Sequence, residues 1–250
     1  MQIGQGKIIR LETVDSTNAY LNRAGHEGAP AWTVCIAEEQ TAGRGRLDRN
    51  WNSPRGQGLW MSILIRPAVK IEDTGLLSFC AALAVSDTLQ SVCGIHAEIK
   101  WPNDLVCNGK KICGILSTCS LLADGTFFNV VGIGVNTHRK AYPEEIKDRS
   151  TSIEDENGDP DREAMITCCL ERLQYYTGLL EEGRKEELIP MTSRRCVTLG
   201  KIVRVTGATE ATGTAEQIGP DGELILLTGN GERVSVRCGD VSVRGVMGYA

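Results

Sequence analysis

The chain has 250 residues, 41% of them hydrophobic, and a formal net charge of −5. That length allows one large domain or a large and a small one with buried cores, and the acidic balance argues against non-specific nucleic-acid binding. The sequence reads without a run approaching the roughly 20 apolar residues of a bilayer span and without a signal segment at Met1–Lys7.

Ile8–Leu11 reads as a short strand, and Asp15-Ser16-Thr17-Asn18 offers helix N-cap chemistry before Ala19-Tyr20-Leu21. Val34–Ala37 is a buried strand feeding the basic run Gln40–Trp51. Leu59–Ile65 is a further strand, closed by Arg66-Pro67. Leu76–Val92 is apolar almost all round, the mark of a buried helix. Glu98–Trp101 ends at a Pro-Asn turn, and Leu105–Cys107 meets Asn108-Gly109, a hairpin signal before the return over Lys111–Cys119. Phe127–Asn136 is a strand carrying Gly132 and Gly134 in its interior. Glycine weakens a strand there, so the space above it is needed for something. Asp159-Pro160 supplies N-cap and first-turn residues for a helix with apolar spacing at Ile166, Cys169, Leu170, Leu173 and Leu180. After Pro190 short β-rich runs alternate with glycine turns, the pattern of a small β-barrel appended to an α+β domain.

Ten cysteines occur without a Cys-x-x-Cys pair, and three scattered histidines show no zinc-ligand spacing. Reduced, mostly buried thiols in a cytoplasmic protein are expected. Cys113, in an apolar strand before a glycine, reads as core filling rather than a nucleophile. There is no P-loop, no complete dinucleotide fingerprint at Gly132-Ile133-Gly134, and no Gly-x-Ser-x-Gly elbow.

What remains is a set of cations and amides. The run Gly43-Arg44-Gly45-Arg46-Leu47-Asp48-Arg49-Asn50-Trp51 gathers three arginines and two glycines inside an acidic protein. Arginine presents a planar fork of donors suited to carboxylates and phosphates, and glycine lets backbone approach a ligand. With Lys100 and Lys111 these arginines are candidates for gripping anions. Gln40, Asn103 and Asn136 can both donate and accept, as a neutral polar ring would require. Such a set fits activation of a carboxylate by ATP, where fixed cations offset the repulsion between two anions. A glycine–arginine loop with Trp51 as an apolar lid would keep water from the mixed anhydride. A non-catalytic RNA-binding module using the loop and the barrel is the rival from another class; the net charge and the 5% aromatic content stand against it.

The same residues resemble the biotin–protein ligase (biotin–[acetyl-CoA-carboxylase] ligase) family. The matches are Ser16-Thr17-Asn18, the Gly43-Arg44-Gly45-Arg46 loop through Trp51, Lys100-Trp101-Pro102-Asn103-Asp104, Lys111 with Gly114-Ile115-Leu116, Gly132–Asn136, and the closing Gly239–Arg244. The resemblance implies an α+β catalytic domain over 1–192, with a central mixed sheet and packed helices of class II synthetase-like type, and a small SH3-like β-barrel over 193–250. It implies formation of biotinyl-5′-adenylate from biotin and ATP with Mg²⁺, then transfer to a lysine of a biotin carboxyl carrier protein. Ser16, Thr17 and Gln40 would bond biotin's ureido ring, Gly114, Leu116, Gly132 and Gly134 would wall its apolar rings, and Asn18 and Gly43 would also belong to the biotin site. Arg44, Arg46 and Lys111 would be catalytic, on the carboxylate and the reacting phosphate. Arg46, Arg49, Trp51, Asn103, Asp104 and Asn136 would face ATP, and Asp104 would help organise the metal. No DNA or membrane partner is implied, since the biotin motif begins too near the first residue for a DNA-binding segment, while a homodimer through the catalytic sheet is. The nearest rival is a lipoate–protein ligase or octanoyltransferase, against which the Gly-Arg-Gly-Arg loop and the Lys-Trp-Pro-Asn-Asp segment weigh. The family's loop often has another glycine where this chain has Leu47-Asp48.

Overall fold

Seven strands form the main sheet of the protein, seen in a computed structural model that describes residues 6–139, 142, 144, 146–237 and 241–245. In chain order they are β1 (Ile8–Val14), β2 (Val34–Gln40), β3 (Gly58–Ile65), β4 (Glu98–Lys100), β5 (Asp104–Cys107), β6 (Lys110–Leu121) and β7 (Phe127–Asn136). Their spatial order is β1-β2-β3-β7-β6-β5-β4. β1 and β2 run parallel and the other neighbours antiparallel, so the sheet is mixed. The β5–β6 hairpin turns through Asn108 and Gly109, both at positive φ (49° and 75°), as an Asn-Gly turn requires.

Side-chain alternation sends the two faces of this sheet to different fates. Val131, Ile133 and Val135 of β7, with Cys113 and Ile115 of β6, join the large core. That core also takes in α2 (Leu77–Cys93) and α3 (Arg162–Glu181), which pack on each other. The opposite face carries only α1 (Thr17–His26), a helix of 10 residues. Leu21 of α1 packs there with Cys35, Leu64, Phe128 and Val130 in a small second cluster. Gly132 and Gly134 follow on the same face as Phe128 and Val130. At about 1.5 Å per residue α1 is only about 15 Å long, so beyond its first turn this face is left open. That gap is where the site lies.

The expected elements are borne out, with three corrections. The N-cap of α3 is Asp161, whose Oδ1 accepts from the Ala164 N–H at 3.0 Å, and not Asp159. A fourth helix, α4 (Lys185–Arg194), carries Pro190 in its interior, so the texture change begins after it. The expected boundary between 192 and 193 falls within that helix. The helical stretch Ile71–Cys93, a six-residue 3-10 segment running into α2, is long and apolar enough by composition to span a bilayer, contrary to the reading of the sequence. Most of α2 is buried under the sheet and α3.

The C-terminal region is a five-stranded antiparallel sheet of β8 (Ile202–Gly207), β9 (Ala211–Ile218), β10 (Leu224–Thr228), β11 (Arg233–Val236) and β12 (Val241–Gly245), in the order β11-β10-β9-β8-β12. Its inward residues Val203, Val205, Leu224 and Val243 belong to the same core as α2. Trp101, 1% exposed, fastens the two regions. Its N–H meets Thr198 Oγ1 and its Nε1 meets the Gly222 carbonyl, both at 3.0 Å. Of the stretches singled out in the sequence, Lys140, Gly239 and Asp240 lie outside the described residues.

Candidate active site

A cavity of about 430 Å³ opens on the α1 face of the sheet. Its floor is set by two rows of residues across the strands β3, β7 and β6. Ser62 of β3, Gly132 of β7 and Leu116 of β6 lie side by side, and Trp60, Gly134 and Gly114 form a neighbouring row. Asn18 lies across the first row. Its Oδ1 accepts from Ser62 Oγ at 2.6 Å and its Nδ2 donates to the Leu116 carbonyl at 3.1 Å. A Cβ on Gly132 would collide with that carboxamide. Trp51 lies across the second row: a Cβ on Gly134 would stand 2.5 Å from its Nε1, and one on Gly114 2.9 Å from its ring. The space that glycine provides in β7 and β6 is therefore used.

The end of the cavity beside α1 is neutral and tightly bonded. Ser16 caps α1, with Oγ accepting from the Ala19 N–H at 3.4 Å. Gln40 Oε1 accepts from the Thr17 N–H at 2.9 Å and from Thr17 Oγ1 at 3.1 Å, while its Nε2 donates to Ser53 Oγ at 2.7 Å. Thr17 Oγ1 and Ser62 Oγ are 2.6 Å apart, a hydrogen bond made when either hydroxyl turns from its other acceptor. Ser62 was not singled out from the sequence, yet the signal was there, since it is the one hydroxyl in the apolar run Leu59–Ile65 and is fully buried.

The opposite end is cationic. Arg44, Arg46, Arg49, Lys100, Lys111, Arg149 and Arg244 all line the cavity, against the single carboxylate Asp104 among the described residues. In a chain of net charge −5 this concentration marks an anion site. Arg46 is half-buried, with Nη1 donating to Asn103 Oδ1 at 3.1 Å; Asn103 Nδ2 in turn holds the Ile115 carbonyl at 2.8 Å. Lys111 Nζ is 2.6 Å from Asp104 Oδ1 and 5.0 Å from the centre of the Trp51 ring. Asn136 is buried and donates through Nδ2 to the Thr151 carbonyl at 3.0 Å, anchoring the segment that leads to Arg149. Lys100 is 6% exposed and donates to the Val243 carbonyl at 3.2 Å. Burial pulls its ammonium down to about 8; Asp104 opposes that, and Lys111, Arg244 and Arg49 add to it.

Among the described residues Asp104 is the one carboxylate in the wall and is already paired with Lys111, and no cluster of three or more metal-ligating side chains occurs among them. This donor set does not form a cation cage. A divalent ion would arrive on the phosphates of its substrate.

Every residue expected at the site lines the cavity except Gly43, which sits behind its wall. There a Cβ would lie 2.5 Å from the Trp51 carbonyl and 2.9 Å from Ser53 Oγ, so glycine lets the two arms of the loop close on each other. The sequence reading missed Arg149, Tyr142 and Ser242–Arg244. The first two lie in a stretch without apolar periodicity. Arg244 was seen only as part of the barrel. Cys113 is fully buried and its thiol is pushed well up by that burial, as core filling requires.

The geometry agrees with comparisons to known proteins. Residues 11–136 match the Biotin/lipoate A/B protein ligase family, and residues 198–244 match the Biotin protein ligase C terminal domain. The chain is 37% identical over 162 residues to the bifunctional ligase/repressor BirA of Bacillus spizizenii, covering 64% of this chain and half of that relative's length. It is 33% identical to the biotin–[acetyl-CoA-carboxylase] ligase of Mycobacterium tuberculosis, covering 90% of this chain and 85% of the relative. The structure of biotin protein ligase from Aquifex aeolicus in complex with biotin and ATP superposes with a TM-score of 0.81 at 32% identity, covering 97% of this chain and 100% of that one.

Proposed function

The chain belongs to the biotin/lipoate A/B protein ligase family, and from that premise we propose that it activates biotin with ATP and transfers it to a lysine of a biotin carboxyl carrier protein. One observation carries the reading: a single cavity joins a neutral hydrogen-bonding end to an end lined, among the described residues, by seven cations. A substrate with a neutral polar ring and a carboxylate tail matches those two ends, and the phosphates of MgATP match the second.

In the first step a carboxylate oxygen of biotin attacks the α-phosphorus of ATP. The bond to the β-phosphate bridging oxygen breaks and pyrophosphate leaves. Arg44, Arg46 and Lys111 offset the repulsion between the two anions and stabilise the charge of the transition state. Arg46 is aimed by Asn103, which is itself locked to β6, so little reorganisation is needed as charge develops. Arg49, Asn103, Asp104 and Asn136 lie toward the nucleotide in this reading. Trp51, packed on Gly114 and Gly134 with its Nε1 buried and unpartnered among the described residues, closes the apolar middle against water. In the second step the neutral ε-amine of the acceptor lysine attacks the acyl carbon, AMP leaves, and the amine proton passes to solvent as the amide forms. A reducing, cytoplasmic setting accords with nine free cysteines among the described residues, seven of them buried.

Incubation with biotin, MgATP and a carrier domain, read by intact mass, tests substrate, nucleotide and acceptor together. One biotinyl group on the carrier is expected. Pyrophosphate exchange that proceeds with lipoate and not with biotin would overturn the reading.

A further inference from the structure

β12 is an edge strand, with β8 as its only neighbour in the sheet. A carbonyl on the outer side of such a strand has no ladder partner. For Val243 that partner is the Lys100 ammonium, brought by β4 of the main sheet at 3.2 Å. The residues on either side of Val243 both line the cavity. Ser242 accepts from Arg49 Nη2 at 3.2 Å, which ties the basic loop to the same strand. Arg244 adds a cation at the nucleotide end. Lys100 itself is 6% exposed and surrounded by like charge from Lys111, Arg49 and Arg244, with Asp104 as the countercharge. A nearly buried cation at the cavity wall, bonded to a strand carbonyl, is well placed to hold that strand.

We propose that Lys100 is a positioning residue: its ammonium fastens β12 to the cavity wall, so that Ser242 and Arg244 reach the nucleotide end and the C-terminal sheet completes the site. This rests on the reading that ATP fills the cationic end. The tether is a hydrogen bond from a charged donor to a buried carbonyl. Its loss is expected to weaken ATP binding about ten- to a hundredfold.

The test uses the full chain in five forms: wild type, Lys100→Met, Lys100→Arg, Arg244→Met, and Lys100→Met with Arg244→Met. ATP affinity is measured by calorimetry and amide exchange is followed in β12 and β9. Lys100→Met is expected to raise exchange in β12 but not in β9 and to lower ATP affinity. Lys100→Arg, which keeps a charged donor, is expected to restore both. The double variant should bind ATP no more weakly than the worse of Lys100→Met and Arg244→Met, because both act through β12. Unchanged β12 exchange in Lys100→Met, together with additive losses in the double variant, would make Lys100 an ordinary anion contact and overturn the proposal. If Lys100→Met does not fold, Lys100→Ala also removes the donor, and unchanged β12 exchange there is equally fatal. Wild-type protein that binds no ATP would sink the functional reading instead, while the exchange arm still reports on the tether.

Discussion

The floor of the cavity and the loop over it are made by opposite means. On the floor, Thr17, Asn18, Gln40, Ser53 and Ser62 bond one another across two strands and a helix, and glycine is present because the space above it is filled. In the loop, Arg44 and Arg49 are exposed, and Leu47 and Asp48 both hold left-handed backbone at φ 55° and 52°. The floor is preorganised by packing, which recognition of a neutral ring needs. The loop keeps its charges near solvent and its backbone strained, which suits a segment that must admit one anion after another. Rigidity and reach are divided between the two.

Removing charge from the loop side should cost most. Arg46→Ala is expected to slow adenylate formation on the order of 10²–10³-fold, measured in single turnover with biotin in excess. Near wild-type rates would break the charge-offset argument at that residue. The floor can be broken by a single methyl group. Gly132→Ala sets a Cβ against Asn18, and the displaced bridge between β3 and β6 should cost about 1–3 kcal/mol in thermal unfolding and at least roughly tenfold in biotin affinity. The same change in the loop, Gly45→Ala, meets nothing nearer than the Arg49 carbonyl at 3.5 Å and should leave the melting temperature unaltered. Equal destabilisation by both would erase the contrast.

The two regions were also unequally legible in the sequence. The loop was visible because three arginines and two glycines in a row have no role in a core. Gly132 and Gly134 were visible because glycine inside an apolar strand requires a reason. The lone Ser62 could have been read the same way. Asn18 was expected to serve a ligand, and it also bonds Ser62 and the Leu116 carbonyl, a use that depends on the register of three strands and cannot be read locally. Arg149 and Arg244 reach the cavity only through tertiary packing, one from a stretch without periodicity and one from the second sheet. α4 was hidden by Pro190, which reads as a helix stop and is tolerated within a helix of 10 residues.

A smaller effect separates the regions by pH. Burial holds the Lys100 ammonium near 8 in the folded protein, below the usual lysine value of about 10.4. The charged ammonium holds β12, and with it Ser242 and Arg244, more firmly than the neutral amine would, so ATP affinity should be full below pH 8. It should fall by up to about tenfold per unit above it, as a proton must be taken up on binding. Biotin affinity at the neutral floor should stay level over the same range. The sign for stability is opposite: between about 8 and 10.4 the unfolded chain holds the proton that the folded chain has lost, so this group makes the fold more stable as pH rises. Calorimetry from pH 7 to 9.5 checks the binding half. A level ATP profile in wild type would remove Lys100 from the account of the site.

The smallest expected effect bears on strain itself. A leucine in left-handed backbone costs about 1–2 kcal/mol, and Leu47 is 43% exposed, so nothing is gained by burying its side chain. Asp48 tolerates the conformation better, because its short carboxylate can bond locally. Leu47→Gly removes the strain of the closed loop and adds about 0.5–1 kcal/mol of entropy to the open one. The closed form should gain by the difference, and the adenylate should leave up to about tenfold more slowly in a chase experiment. Faster release would mean that the open loop profits more from glycine than the closed loop does. The left-handed turn would then store no strain, and the loop would differ from the floor in charge alone.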